Sequence, residues 1–223
     1  MVWPALARAQ VEPAEPAGPP PQLLLFHGGS FLFEDPSFEA ATEPLVEAAG
    51  FVPHYVHYPL DDLPAAVARA RAEAARLRAH YGVEDVFAYG SSAGGTLAAL
   101  LSGDGLVAAA VAKAPPSDLV EWSWPLDAYG ADYYEQIGLT PAARYRLSPL
   151  RRPARRPLLL LQGRLDGVVP LTMSEAFAAK FRQVRIWTIA GGHRAERVHP
   201  RVLARALAWL RRGGAPADPE RAS

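Results

Sequence analysis

The chain has 223 residues, 50% hydrophobic and 21% charged, which suits one globular domain with a sizeable core and excludes a disordered polypeptide. Lys and Arg number 23 and Asp and Glu number 23, a balance that leaves no basic footprint for a nucleic-acid binder. There is no cysteine, so disulfides, thiolate metal sites and a cysteine nucleophile are all excluded.

Residues 1–22 contain Pro13, Pro16, Pro19, Pro20 and Pro21, whose fixed φ angles and missing N–H donors rule out helix and central strand, so they read as an extended lead-in. The start MVWPALARAQ lacks the cationic leader and the long apolar core of a secretory signal, and a cytoplasmic location is expected. No run approaches the roughly 18 apolar residues of a membrane span.

Residues 23–213 form the domain. Six short apolar runs, Leu23–Phe26, Phe51–His57, Asp85–Tyr89, Val107–Ala112, Leu158–Gln162 and Val184–Ile189, lack a clean polar alternation, as strands buried on both faces of a parallel sheet do. A helix is predicted over Pro64–Tyr81, where Val67, Ala70, Ala74, Leu77 and Tyr81 recur at spacings of 3 and 4. Pro64 suits its first turn. Another follows the third run at Thr96–Leu101, and a third covers Val198–Arg212 with Val202, Leu203, Ala206, Trp209 and Leu210 on one stripe. Gly213 and Gly214 stop that helix, and 214–223 read as a loose tail. Alternating strands and helices predict an α/β fold: a mostly parallel sheet of about six strands with helices on both faces. The long connection Pro115–Pro157 has no strong strand and carries Trp122, Trp124, Tyr129, Tyr133 and Tyr134. A connection of that length is expected to be functional or to hide further elements.

The sharpest local signal is Gly90-Ser91-Ser92-Ala93-Gly94-Gly95, set between a strand and an apolar helix. Strand, G-x-S-x-G turn and helix make the context of a nucleophile elbow, with Ser92 as its central serine. Ser91 fails the same test, because Tyr89 stands two residues before it. A tight corner or a phosphate cradle is the plainer alternative, but the P-loop version lacks its lysine. His27-Gly28-Gly29-Ser30 at the end of the first run is the kind of segment whose backbone N–H groups bind a developing oxyanion. Gly29 and Ser30, with the N–H of Ala93, would build a three-donor hole.

An acid and then a histidine should follow in chain order. Asp166 stands on the loop after Leu158–Gln162, and His193 follows Gly191-Gly192 after Val184–Ile189, both at the end of a strand where open sheets build their sites. His193 is the expected general base and Asp166 its orienter. Activity is then expected to fall on acidification, as the imidazole takes up a proton. His199, before Pro200, is the alternative base and reads as a capping or surface residue; Asp118 is the alternative acid. His54, His57 and His80 read as structural. Lys113, at a strand end, could line the pocket but is expected to snorkel to the surface. No H-x-E or H-E-x-x-H spacing supports a metal site.

Taken together, His27-Gly28-Gly29, Tyr58-Pro59-Leu60 with Pro64-Ala65-Ala66-Val67, the elbow, Ser148-Pro149, Gly163-Arg164-Leu165-Asp166-Gly167-Val168-Val169-Pro170 and His193 resemble the α/β-hydrolase superfamily. Their order is most similar to esterases of the hormone-sensitive-lipase and acetyl-esterase type, with kynurenine formamidase as a relative, over about residues 23–212. Two departures from the pattern stand out: Ser30 where a fourth glycine is common in the oxyanion motif, and Ser91 where Asp or His is usual. With only 22 proline-rich residues before the first strand, the resemblance implies a minimal fold without a large cap, its pocket covered mainly by Pro115–Pro157.

The expected function is a serine carboxylesterase that cleaves small carboxylic esters through an acyl-enzyme on Ser92. It requires no cofactor and no metal. Its partner is a small-molecule ester, with neither nucleic acid nor a membrane span, and a homodimer is left open. The aromatic cluster would line an apolar wall of the pocket or belong to the core. An exopeptidase or amidase of the same fold is the first rival, marked by a buried carboxylate or amine-binding group near the pocket. A non-catalytic binding protein of that fold is the second, and the presence of all three triad members counts against it.

Overall fold

The computed structural model describes residues 19–195 and 199–215. Six strands form one sheet, all neighbours parallel: β1 (Gln22–Phe26), β2 (Val52–Tyr55), β3 (Val86–Ser91), β4 (Ala110–Lys113), β5 (Leu158–Gly163) and β6 (Val184–Ile189), in the order β2-β1-β3-β4-β5-β6. The order reverses at β1, between β2 and β3, so the crossovers cover both faces. The apolar runs read from the sequence therefore all hold strands. Their limits shift: Val56 and His57 already belong to the loop after β2 and Val107–Ala109 precede β4, while β1, β3, β4 and β5 each extend by one or two residues at one end.

Alternate side chains of each strand feed two separate cores. Leu24 and Phe26 of β1 pack on one face with the helix α2 (Leu63–Tyr81) and the helix α3 (Ala93–Asp104). Leu23 and Leu25 pack on the other face with α1 (Ser37–Ala48) and the last helix, Pro200–Arg211. Burial on both faces is why β1, β3, β4 and β5 show no polar alternation, while the edge strands β2 and β6 are partly exposed.

Each predicted helix is present, with shifted ends. α2 starts where Asp62 accepts a hydrogen bond from the Ala65 N–H at 2.9 Å, and Pro64 occupies the first turn. It buries Ala66, Val67, Ala70, Ala74 and Leu77, and stops at Gly82, whose φ is +84°. α3 is longer than its predicted core and is buried at every position from Ala93 to Ser102, as a central helix hydrophobic all round must be. The segment Pro115–Pro157 is not a loop. It folds into α4 (Trp124–Tyr129), α5 (Tyr133–Gln136) and α6 (Pro141–Leu147), each too short to show a sequence stripe. Among the described residues α7 (Leu171–Lys180) and α8 (Pro200–Arg211) follow; α8 turns its Leu203, Ala206, Leu207, Trp209 and Leu210 inward. Gly213, at φ +63°, ends it. Among the described residues no helix is long and apolar enough to cross a membrane. Most of the proline-rich lead-in, residue 198 of the predicted last helix and residues 216–223 of the tail lie outside the described residues.

Candidate active site

Three loops meet at the carboxyl ends of the parallel strands. The first is the turn from β3 into α3. Ser92 sits there with φ +53° and ψ −115°, a backbone state that L-residues occupy only when their surroundings impose it. The imposing contacts are close. A Cβ on Gly90 would strike the backbone of Gly94, and one on Gly94 would strike the carbonyl oxygens of Phe26 and His27. A Cβ on Gly95 would stand 3.0 Å from the Lys113 carbonyl oxygen. The glycines around Ser92 are thus required by close approach of backbone to backbone, and the Ser92 N–H is held by the Lys113 carbonyl at 2.7 Å.

The second loop leaves β1. Gly28 packs so near the elbow that a Cβ on it would lie 3.4 Å from that of Ser92. Gly29 has φ +120°, and a side chain there would collide with the Phe33 backbone. Ser30 and Phe31 both adopt positive φ, +54° and +61°. Ser30 therefore occupies the left-handed region where the resemblance has a glycine. It is held there from both ends: its carbonyl accepts from the Tyr133 hydroxyl at 2.8 Å, and its Oγ lies 3.1 Å from the Tyr129 hydroxyl. His27 Nδ1–H donates to the Gly28 carbonyl at 2.6 Å, its ring stacks on Tyr58 at 4.4 Å, and the Tyr58 hydroxyl donates to the His27 carbonyl. Burial pushes the Tyr58 phenol well above its ordinary value, so it remains a donor. Among the described residues no acceptor takes the N–H of Gly29, Ser30 or Ala93. Ala93 opens α3, where the first N–H groups have no intrahelical partner.

The third element is the pair of loops after β5 and β6. His193 Nε2 lies 2.9 Å from Ser92 Oγ, and His193 Nδ1 lies 2.8 Å from Asp166 Oδ2. A carboxylate only accepts, so Nδ1 carries the proton and Nε2 offers its lone pair to the serine hydroxyl. Asp166 is anchored on all sides. Its Oδ1 accepts from the N–H groups of Val168 and Val169, each at 2.9 Å, and its Oδ2 also accepts from Gln162 Nε2 at 2.9 Å. Burial pushes the Asp166 carboxyl up, but the hydrogen bond and charge of His193 and the two backbone donors outweigh it and hold the carboxyl below its ordinary value. Gly163 lets the two loops touch: a Cβ there would strike the carbonyls of Gly191 and Gly192.

Ser92, His193 and Asp166 are thus brought together, and the alternatives are elsewhere. Both carboxylate oxygens of Asp118 are taken by Arg151, at 3.0 and 2.8 Å. His199 is exposed at the start of α8 and makes no capping bond. His54 bonds Gln22, while His57 and His80 lie at the surface. Of the two readings for Lys113 the structure has it line the cleft, and the expectation that it snorkels to the surface is overturned. It is only 3% exposed, and its ammonium does not seek water because it donates to the backbone carbonyl of His193.

A cleft of about 660 Å³ opens over Ser92 and His193, walled by Gly29, Ser30, Lys113, Trp124 and Tyr129. The aromatic cluster divides. Trp124 and Tyr129 face the cleft, whereas Trp122, Tyr133 and Tyr134 are buried in the core. The cover is also broader than expected, for Phe33, Glu34, Asp35 and Pro36 of the β1–α1 loop share the wall with α4. Neither acid there is buried: Glu34 is exposed and Asp35, half-exposed, accepts from the N–H and hydroxyl of Ser37. The sequence reading gives Gln162 no role, although it is the one polar residue closing the run Leu158–Leu161, and it gives Tyr133 only a place in the aromatic cluster, since nothing local points to its bond with Ser30.

Comparison with known proteins places the fold and the family. The model of the prolyl oligopeptidase family matches residues 58–213, more than half of the chain. No curated protein matches. Among solved structures, an acetyl ester-xyloside bifunctional hydrolase from Caldicellulosiruptor lactoaceticus superposes with a TM-score of 0.72 at 17% identity, over 90% of this chain and 85% of that one. A propionate-bound thermophilic esterase from Thermogutta terrifontis gives 0.70 at 22% identity, over 92% and 88%. The thermostable carboxylesterase EstE1, cloned from a metagenomic library, gives 0.71 at 24% identity, over 91% and 83%. The fold is the α/β-hydrolase fold that the sequence motifs resembled.

Proposed function

Because the chain belongs to the prolyl oligopeptidase family, we propose that it is a serine hydrolase of the α/β-hydrolase fold that cleaves small carboxylic esters. The observation that carries this reading is the continuous chain of hydrogen bonds from Ser92 Oγ through His193 to Asp166, at 2.9 and 2.8 Å. Ser92 Oγ attacks the ester carbonyl carbon while its proton passes to His193 Nε2. The imidazolium so formed is stabilised by Asp166 and returns the proton to the departing alcohol. Water then enters, gives its proton to the same nitrogen and attacks the acyl-enzyme, and Ser92 regains its proton as the acid leaves.

The oxyanion that forms in each half is assigned to the N–H groups of Gly29, Ser30 and Ala93, which take no acceptor within the described protein. Loss of one such donor typically costs about 2.7–4 kcal/mol of transition-state stabilisation. Esters rather than peptides are favoured by the cleft itself. An aminopeptidase would need a buried carboxylate to fix the substrate's amino terminus, and of the two carboxylates on the wall Glu34 is exposed and Asp35 half-exposed. The structural neighbours that are named as esterases support the same choice.

Fluorophosphonate labelling of the parent and of Ser92→Ala tests the reading, followed by turnover of p-nitrophenyl esters of graded chain length. The parent takes the label and hydrolyses the short esters, and the variant does neither. Equal labelling of both removes Ser92 as nucleophile.

A further inference from the structure

We propose that Lys113 is a positioning residue for the general base, a tie between the nucleophile turn and the histidine loop; the inference rests on the reading of Ser92 and His193 given above. Lys113 is the last residue of β4 and pairs in register with Ser91 of β3, the neighbour of the nucleophile. Its two ends serve different loops. The backbone carbonyl accepts the Ser92 N–H at 2.7 Å, and the side-chain ammonium donates to the backbone carbonyl of His193, 80 residues further along the chain. One residue therefore holds both members of the proton-transferring pair.

The placement is costly for a lysine and so calls for a reason. A buried ammonium needs strong acceptors in place of water, and Lys113 is 97% buried by its 3% exposure. An aliphatic residue would pack on the face that Val111 of β4 also occupies, without that demand. What the ammonium adds is a charged donor reaching across the floor of the cleft. The histidine loop needs such a tie. It carries Gly191 at φ +119° and Gly192 directly before His193, a flexible stem for a ring that must stay within hydrogen-bond reach of Ser92. Asp166 fixes the imidazole through its Nδ1, but that bond permits rotation of the loop about the ring; the tie to the His193 carbonyl fixes the backbone itself. Misplacement of a catalytic group by about 1 Å can cost on the order of 10²-fold in rate.

The test is Lys113→Met, which keeps length and burial and removes the donor, together with Lys113→Ala assayed with and without propylammonium. Circular dichroism accompanies each variant. In Lys113→Met, kcat on a neutral p-nitrophenyl ester and the rate of fluorophosphonate labelling fall by on the order of 10²-fold, while KM stays within about threefold. Propylammonium restores part of the lost rate in Lys113→Ala, and the bulkier tetramethylammonium, which has no N–H, does not. An unchanged kcat overturns the proposal. So does a raised KM at constant kcat, which would make Lys113 a substrate contact, and so does an Ala variant indifferent to propylammonium. If Lys113→Met does not fold, Lys113→Ala without propylammonium takes its place: a lowered kcat at constant KM supports the tie and equal constants overturn it. A parent that takes no label at Ser92 removes the hydrolase reading and the proposal with it. A parent that labels no faster than Lys113→Met removes the proposal alone.

Discussion

Gln162 Nε2 donates to Asp166 Oδ2 at 2.9 Å, on the same oxygen that accepts from His193. The amide is itself locked, since its Nε2 also donates to the Val169 carbonyl and its Oε1 accepts from the Ser174 hydroxyl at 2.8 Å. Gln162 and Ser174 are both fully buried. Replacing Gln162 with Leu takes a partner from the Ser174 hydroxyl, the Val169 carbonyl and one carboxylate lone pair. The expected cost is about 1–3 kcal/mol of stability for each buried group left unsatisfied. A lowered urea midpoint with unchanged m-value reads that cost. A fall in kcat of roughly 10-fold, the scale found when a supporting hydrogen bond behind a functional histidine is lost, separates a role in orienting Asp166 from packing alone.

Asp166 couples the site to stability at acid pH. Its carboxyl is held below the ordinary value of 3.8 despite burial, by the bond and charge of His193 and by the Val168 and Val169 N–H groups. The unfolded chain then binds the proton more tightly than the folded one. The stabilisation is fully present above the unfolded value and is lost as pH falls through the lower folded value. Urea midpoints of the parent and of Asp166→Asn, compared at about pH 5 and about pH 3, should show the parent losing the larger part of its margin over that interval. In the same variant kcat is expected to fall by on the order of 10⁴-fold, because an amide in place of the carboxylate favours the wrong imidazole tautomer. A variant with the parent's acid sensitivity and rate would assign the acid's role to another residue.

How much of this was open to sequence reasoning depends on the distance over which each feature is determined. The β-runs were legible because burial on both faces is a local compositional fact, and Ser92 was legible because its strained turn demands Gly90, Gly94 and Gly95 within three residues. Asp166 and His193 could be found because both follow a readable strand. The helices α4, α5 and α6 were not, since a helix of four to seven residues has too few turns to repeat a stripe. α1 escaped for a related reason: Pro44 interrupts it, and only Phe38, Thr42 and Val46 are buried. That Lys113 is buried could not be read, because its acceptor lies 80 residues away. No local pattern shows that a lysine at a strand end has a carbonyl waiting for it.

The oxyanion loop depends on a residue that never enters the cleft. Tyr133 donates to the Ser30 carbonyl at 2.8 Å, and burial pushes its phenol well above its ordinary value, so it donates throughout the working pH range. That bond holds the peptide of a serine kept at φ +54°. Tyr133→Phe leaves the ring and its packing in place but orphans the carbonyl. Stability is expected to drop by about 1–3 kcal/mol. If the bond also fixes the direction of the Ser30 N–H, kcat falls further than KM changes, up to the 10²-fold scale of losing one oxyanion donor. A variant that loses stability and keeps kcat would show that the Tyr133 bond does not set the direction of the Ser30 N–H.

The two tryptophans that bracket Ser123 give a test of where the substrate lies. Trp122 and Trp124 stack at 6.1 Å, yet Trp122 is 1% exposed and donates its indole N–H to the Val168 carbonyl at 2.8 Å, while Trp124 faces the cleft and meets Tyr129 edge-on at 5.6 Å. Removing a buried tryptophan leaves a cavity, and Trp122→Ala is expected to cost about 3–5 kcal/mol of stability. It also frees Val168, which sits two residues from Asp166 and lends it an N–H, so the rate falls with the fold. Trp124→Ala should cost much less stability, because part of the ring is already solvated. Its effect should appear as substrate preference: KM rises for p-nitrophenyl esters of longer acyl chain and changes little for the acetate, if the indole forms the apolar wall of the acyl site. An equal rise across the whole series would move the indole to the alcohol side, where every p-nitrophenyl ester presents the same group.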